Sequence, residues 1–84
     1  MTTTLTDDQI LARIREELTA MKVPGAEEAT LDSEWADLDV DSLELVELVK
    51  ALEDGYGIRI ADEELAPIKG VGDAVRLVQR LVGA

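Results

Sequence analysis

Residues 37–49 read Asp-Leu-Asp-Val-Asp-Ser-Leu-Glu-Leu-Val-Glu-Leu-Val, DLDVDSLELVELV. Two patterns meet inside this stretch. Up to Asp41, aspartates alternate with apolar residues; beyond it, Leu45, Leu48, Val49 and Leu52 recur at helical spacing. Asp41 followed three residues later by Glu44 is a capping box. A helix therefore starts here, with Asp41 as N-cap and Ser42 in its first turn. The four apolar side chains lie within about 100° of one another around that helix, an ordinary core stripe. Leu43 and Val46 fall on the other side as an i, i+3 pair, among Glu47, Lys50, Glu53 and Asp54. An apolar pair ringed by charge reads as a small docking patch. The alternative is that a loop folds over it.

Working outward, Thr6-Asp7-Asp8-Gln9 makes a second capping box, and the two aspartates suit the positive end of a helix dipole. Ile10, Leu11, Ile14, Leu18 and Met21 give this first helix its apolar face, and Pro24-Gly25 stops it at about Met21 to Val23. A long connection from Gly25 to Val40 follows, with Leu31, Trp35 and Leu38 as candidate anchors; a loop of this length is often functional. The second helix runs to about Asp54, where Gly55-Tyr56-Gly57 ends it. Ile58 to Ile60 is a short extended piece, and Ala61 to Leu65 one helical turn before Pro67. Gly70-Val71-Gly72-Asp73 leads into a last helix with Ala74, Val75, Leu77, Val78, Leu81 and Val82 as its apolar set. The expectation is an all-α fold. It is a small four-helix bundle of three main helices and one short one, with a long loop between the first two. Residues 1–84 form a single domain on this reading.

The chain has 84 residues, no cysteine and no histidine. It has no apolar run of the roughly 18 residues a membrane span needs. Its N-terminus lacks the basic and apolar regions of a signal peptide. A cytoplasmic, reducing compartment is the expectation. The net charge is −11, and it is concentrated: Glu27 to Asp54 holds eleven acids and one base, Lys50. Such a surface repels phosphates, so nucleic acid is a poor partner. Basic protein patches are good ones, because the field speeds their encounter.

Four readings compete for Ser42. It is a plain first-turn residue, a nucleophile, part of a cation site, or an acceptor for modification. A nucleophilic serine needs a base and an oxyanion hole. With no histidine, only a lysine or a carboxylate could act, and Lys50 lies two helical turns away, about 12 Å along the axis. Asp37, Asp39 and Asp41 match the opening of an EF-hand loop, but Ser42 stands where that loop wants glycine and Leu48 where it wants glutamate. A dedicated metal site is therefore not expected. Modification fits the residues that are present. A hydroxyl at a helix start is exposed, and the first-turn N–H groups and the dipole favour an anion beside it. The surrounding acids offset part of that attraction.

The same residues resemble the acyl carrier protein family. The family's D-S-L stands here as Asp41-Ser42-Leu43. It is followed in order by Glu47-Leu48-Val49, Ala51-Leu52-Glu53, Tyr56-Gly57, Ile60-Ala61-Asp62-Glu63-Glu64 and Val71-Gly72-Asp73-Ala74-Val75. The resemblance covers about Leu31 to Leu81. A D-S-L alone is weak, but the ordered series is strong. The resemblance implies a non-catalytic carrier with 4′-phosphopantetheine, taken from coenzyme A, attached at Ser42 within the motif of Asp41 and Leu43. Acyl groups ride on that arm as thioesters, which accounts for a chain with no sulfur nucleophile of its own. The implied partners are a phosphopantetheinyl transferase and an acyltransferase, ketosynthase or other pathway enzyme with basic docking patches. They would meet Leu43, Glu44, Val46, Glu47, Lys50 and Glu53. Neither nucleic acid nor membrane is implied, and a monomer is expected.

Two departures qualify the resemblance. Asp39 stands where the family usually has glycine, and Asp enters left-handed backbone less readily. Lys50 stands where fatty-acid carriers often show an apolar partner contact. Trp35, in W-x-x-L-D-V-D-S-L, resembles an aromatic of polyketide-type carriers. The reading is a free-standing carrier of polyketide or related secondary-metabolite biosynthesis. Fatty-acid synthesis and aminoacyl or peptidyl carriage are the alternatives. A different class of reading is an unmodified acidic helical interaction module.

Overall fold

The computed structural model of the chain describes residues 6–83. Residues 1–5 and 84, over which the N-terminal and single-domain readings extend, lie outside the described residues. Among the described residues there are four α-helices: α1 (Asp7–Ala20), α2 (Ser42–Tyr56), α3 (Asp62–Leu65) and α4 (Val71–Gly83). A 3-10 turn, Ala26–Glu28, interrupts the long loop. The four-helix expectation holds, with three long helices and one short one.

Helix α1 is the hub, packing against α2, α4 and the 3-10 turn. It starts at the capping box expected from its sequence: the Thr6 hydroxyl accepts from the Gln9 N–H, and the Gln9 side chain accepts from the Thr6 N–H. Its Ile10, Ile14 and Leu18 are fully buried. They meet Leu48 and Leu52 of α2 and Val71, Val75 and Val78 of α4 in one core. Each such side chain contributes about 1.5–3 kcal/mol on leaving water.

Three chain reversals use one device, in which a left-handed residue lets the next N–H reach a carbonyl five residues back. Lys22 (φ 63) closes α1, with Val23 N–H to Leu18 O at 3.0 Å. Gly57 (φ 64) closes α2, with Ile58 N–H to Glu53 O at 3.1 Å. Asp39 (φ 57) closes a turn just before Ser42, with Val40 N–H to Trp35 O at 2.9 Å. Only one of the three is glycine. Pro24-Gly25 therefore follows a helix that Lys22 has already ended.

Several expectations shift. Helix α2 runs two residues past Asp54, and Gly55 lies inside it. A Cβ built on Gly55 would meet the Arg13 guanidinium at 2.8 Å, so this glycine marks where α1's arginine crosses α2. Residues 58–60 form no strand. They are held instead by Ile60 N–H donating to Glu53 Oε2 at 2.7 Å. In the loop, Trp35 is buried, but Leu31 is 39% exposed and anchors little. In α4, Val71 belongs to the core, whereas Val82 is 39% exposed.

The loop is fixed to the start of α4 by backbone. Trp35 N–H donates to Lys69 O at 3.0 Å, and Val71 N–H to Ser33 O at 2.8 Å. Gly70 and Gly72 allow this approach, because a Cβ on either would sit 2.6 Å and 2.4 Å from the Ser33 and Leu31 carbonyl oxygens. Helix α3 buries no residue fully. The Glu64–Arg80 pair at 2.7 Å ties it to α4.

Asp73 secures the first turn of α4. Its carboxylate accepts from the Lys69 N–H at 3.0 Å and from Arg76 at 2.8 Å. These contacts, the Lys69 N–H foremost, hold its carboxyl below the usual carboxylate range. A group depressed in the folded state stabilises above its unfolded pKa, and the gain is lost as pH falls through the folded value. Asp73→Asn should lower stability near neutral pH and flatten the acid limb of the stability curve. Urea denaturation across the acid range measures both.

Candidate functional site

Ser42 is the first residue of α2, and it is exposed. Its hydroxyl makes no hydrogen bond to the described residues. The cap beside it is complete without it: Glu44 N–H donates to Asp41 Oδ1 at 2.8 Å, and Asp41 N–H to Glu44 Oε1 at 3.1 Å. The cap therefore engages both neighbouring carboxylates and leaves Ser42 Oγ outside. Leu45 N–H donates to Asp41 O at 2.9 Å, so the helical ladder begins at once. The N–H groups of Ser42 and Leu43 have no protein acceptor, as the first groups of a helix do. They and the helix dipole are placed to receive an anion esterified to Ser42. The residues present thus fit a phosphodiester at this position.

Local hydrogen bonds shape the turn that leads to Ser42. Trp35 is buried, and its carbonyl accepts from Leu38 at 3.2 Å as well as from Val40. Asp39 adopts the left-handed turn that its place in the sequence requires. A residue with a Cβ there costs about 1–2 kcal/mol, less for aspartate than for most. Asp39→Gly should raise stability by about 0.5–1 kcal/mol and leave the Asp41–Glu44 cap intact. A thermal melt together with the amide spectrum of residues 40–45 checks this.

Around the site, Leu43 is 77% and Val46 44% exposed. Among the described residues no loop covers them, so the apolar pair is open. Glu47 and Lys50 are exposed beside it. Glu44 and Glu53 behave differently. Glu44 is half-buried and held by the cap, and Glu53 is drawn inward to the Ile60 N–H. Sequence spacing gives no sign of the Glu53 contact, since it depends on how the chain turns after Gly57. A groove of about 940 Å³ lies between the end of α2, residues 57–61 and α3. It is lined by Glu53, Asp54, Arg59 and Asp62 among others, and Ser42 is not part of it. Among the described residues, no three Asp or Glu side chains converge as a metal-holding group.

Comparison with known proteins gives a consistent picture. Residues 8–78 match the family described as the phosphopantetheine attachment site. The chain is 40% identical over 80 residues to an acyl carrier protein of Rhodococcus erythropolis, covering 90% of this chain and 85% of that one. It is 41% identical over 75 residues to an acyl carrier protein of Petrotoga mobilis, covering 88% of each. It is also 40% identical over 80 residues to the meromycolate extension acyl carrier protein of Mycobacterium tuberculosis, covering 92% of this chain and 68% of that one.

Proposed function

This chain belongs to the acyl carrier protein family, and from that premise we propose that Ser42 carries its 4′-phosphopantetheine and that the outer face of α2 presents the loaded arm to partner enzymes. Members of the family are carriers and not catalysts, and phosphopantetheine is their cofactor. The arm supplies a thiol that holds acyl groups as thioesters. The chain's own contribution is to expose one hydroxyl beside open N–H groups. The observation that carries the assignment is that Ser42 Oγ stands exposed and unbonded while the adjacent cap is complete without it. Asp41 and Leu43 set the frame, one as N-cap and the other as exposed apolar contact.

The enzymes served, on this reading, are a transferase that installs the arm and acyltransferase- or ketosynthase-type enzymes with basic docking patches. The domain is a single carrier unit over residues 1–84, acting as a monomer in the cytoplasm. Among the described residues no helix is long and apolar enough to cross a membrane. The W-x-x-L-D-V-D-S-L pattern and Lys50 support a polyketide-type pathway. The names of the mycobacterial relatives support the second reading, extension of a fatty acyl chain. The mass of the thioester-bound group on protein from its source cell separates the two.

The docking face carries its own expectation. Glu47→Lys should weaken partner affinity about two- to fivefold, and the loss should shrink with salt. Val46→Asp should weaken it about fivefold or more by setting a charge in an apolar contact. Both sites are exposed, so helical circular dichroism should not change. Unchanged affinity for transferase and ketosynthase in both variants would remove α2 from the interface.

A further inference from the structure

We propose that Lys50 selects partners. Its unpaired ammonium at the middle of the α2 docking stripe favours a partner that sets a carboxylate opposite it, and disfavours one whose patch is basic throughout. The inference rests on the reading of α2 as the docking face.

By helical geometry, Leu43, Glu47, Lys50 and Asp54 follow one line along the outside of α2, about 16 Å long, with Val46 beside it. Lys50 lies nearly opposite the buried side defined by Leu48 and Leu52. It is the one base between Glu27 and Asp54. Acids surround it in sequence, at Glu47, Glu53 and Asp54, so an internal ion pair would be the ordinary outcome. None forms. The ion pairs among the described residues are Arg13–Glu17, Arg76–Asp73 and Arg80–Glu64. For Glu47 nothing in the structure explains the missing pair; for the other two acids the reasons are local. Lysine preceding aspartate by four is the weaker helix orientation, and Glu53 is engaged by the Ile60 N–H. Lys50 therefore remains available to a partner.

The stripe then reads apolar, negative, positive, negative along the helix. Its complement has apolar contacts for Leu43 and Val46, cations for Glu47 and Asp54, and a carboxylate between those cations. A patch of cations alone must bring one against Lys50. Sliding the partner by one helical turn does the same, so the pattern fixes register as well as identity. Rejection by a repulsive contact is a common source of specificity.

The test uses two basic amphipathic helical peptides as long as the stripe. They are identical except for glutamate or lysine at the central position. Each is titrated into the isotope-labelled, unmodified chain at low salt. The native chain should bind the glutamate peptide about threefold more tightly, within the range of exposed ion pairs. Lys50→Met should remove the preference, Lys50→Glu should reverse it, and added salt should close the gap in every case. Amide shifts should centre on Leu43, Val46 and Lys50. The proposal is overturned if all three chains show the same preference, or if neither peptide binds α2. Arm attachment at Ser42 is scored separately by mass, so failure of the carrier reading and failure of the Lys50 reading are distinct results.

Discussion

Incubated with coenzyme A and a broad-specificity phosphopantetheinyl transferase, the native chain should gain the mass of one phosphopantetheine, and the Ser42→Ala chain should gain none. The effect is all or nothing because the hydroxyl oxygen is itself the atom that joins the phosphate. The substitution is also structurally quiet. Ser42 makes no hydrogen bond to the described residues, and the cap depends on Asp41 and Glu44. Alanine is the better helix former by about 0.5 kcal/mol, so the melting temperature should hold or rise slightly. Loss of loading with an intact melt assigns the failure to chemistry and not to unfolding. A native chain that stays at its starting mass would favour the acidic interaction module, for which Ser42 is only a first-turn residue.

The largest effect on stability is expected at Gly72. Gly72→Val should cost about 3 kcal/mol, the upper end of overpacking penalties. A Cβ there would lie 2.4 Å from the Leu31 carbonyl oxygen, and backbone cannot swing aside as a side chain can. Valine also gains little as a helix former. Relief requires the loop to lift from α4. That breaks the Val71–Ser33 and Trp35–Lys69 bonds and exposes Trp35. An 84-residue domain has only about 4–13 kcal/mol of stability in total. Urea denaturation followed through Trp35, the single tryptophan, reads the loss directly. Gly83→Ala is the control, because nothing lies within 4 Å of its Cβ position. An equal response at both glycines would refute the close-approach account. The lifted loop is the one that leads into Ser42, so arm attachment should slow in Gly72→Val as well.

Much of the site is legible in local sequence. The two capping boxes, at Thr6 and Asp41, are built from residues three apart and need no tertiary information. That Leu43 and Val46 lie off the Leu48 and Leu52 stripe follows from helical spacing, while their exposure is a finding of the structure. The concentration of acid in the middle third is a property of composition. Contacts between distant segments are what spacing misses. Glu53 counts as an outward acid by its helical position, yet the turn at Gly57 brings the Ile60 N–H to it. Gly55 resembles a helix end because glycine usually is one, but Arg13 crosses there and the helix continues. At Gly72 a local signal does exist: glycine inside a helix is unfavourable, and its presence marks a close approach.

The sequence by itself determined where α1 and α2 begin, which face of each enters the core, and that a lone hydroxyl stands at the head of an acidic helix. These follow from periodicities of three and four residues and from backbone groups that each helix start must satisfy. The tertiary structure alone decided that the long loop is pinned to α4 at Gly70 and Gly72. It also decided which acids remain free to meet a partner. Those outcomes depend on carbonyls and side chains far apart in the chain arriving within hydrogen-bond reach, and no local pattern encodes that distance.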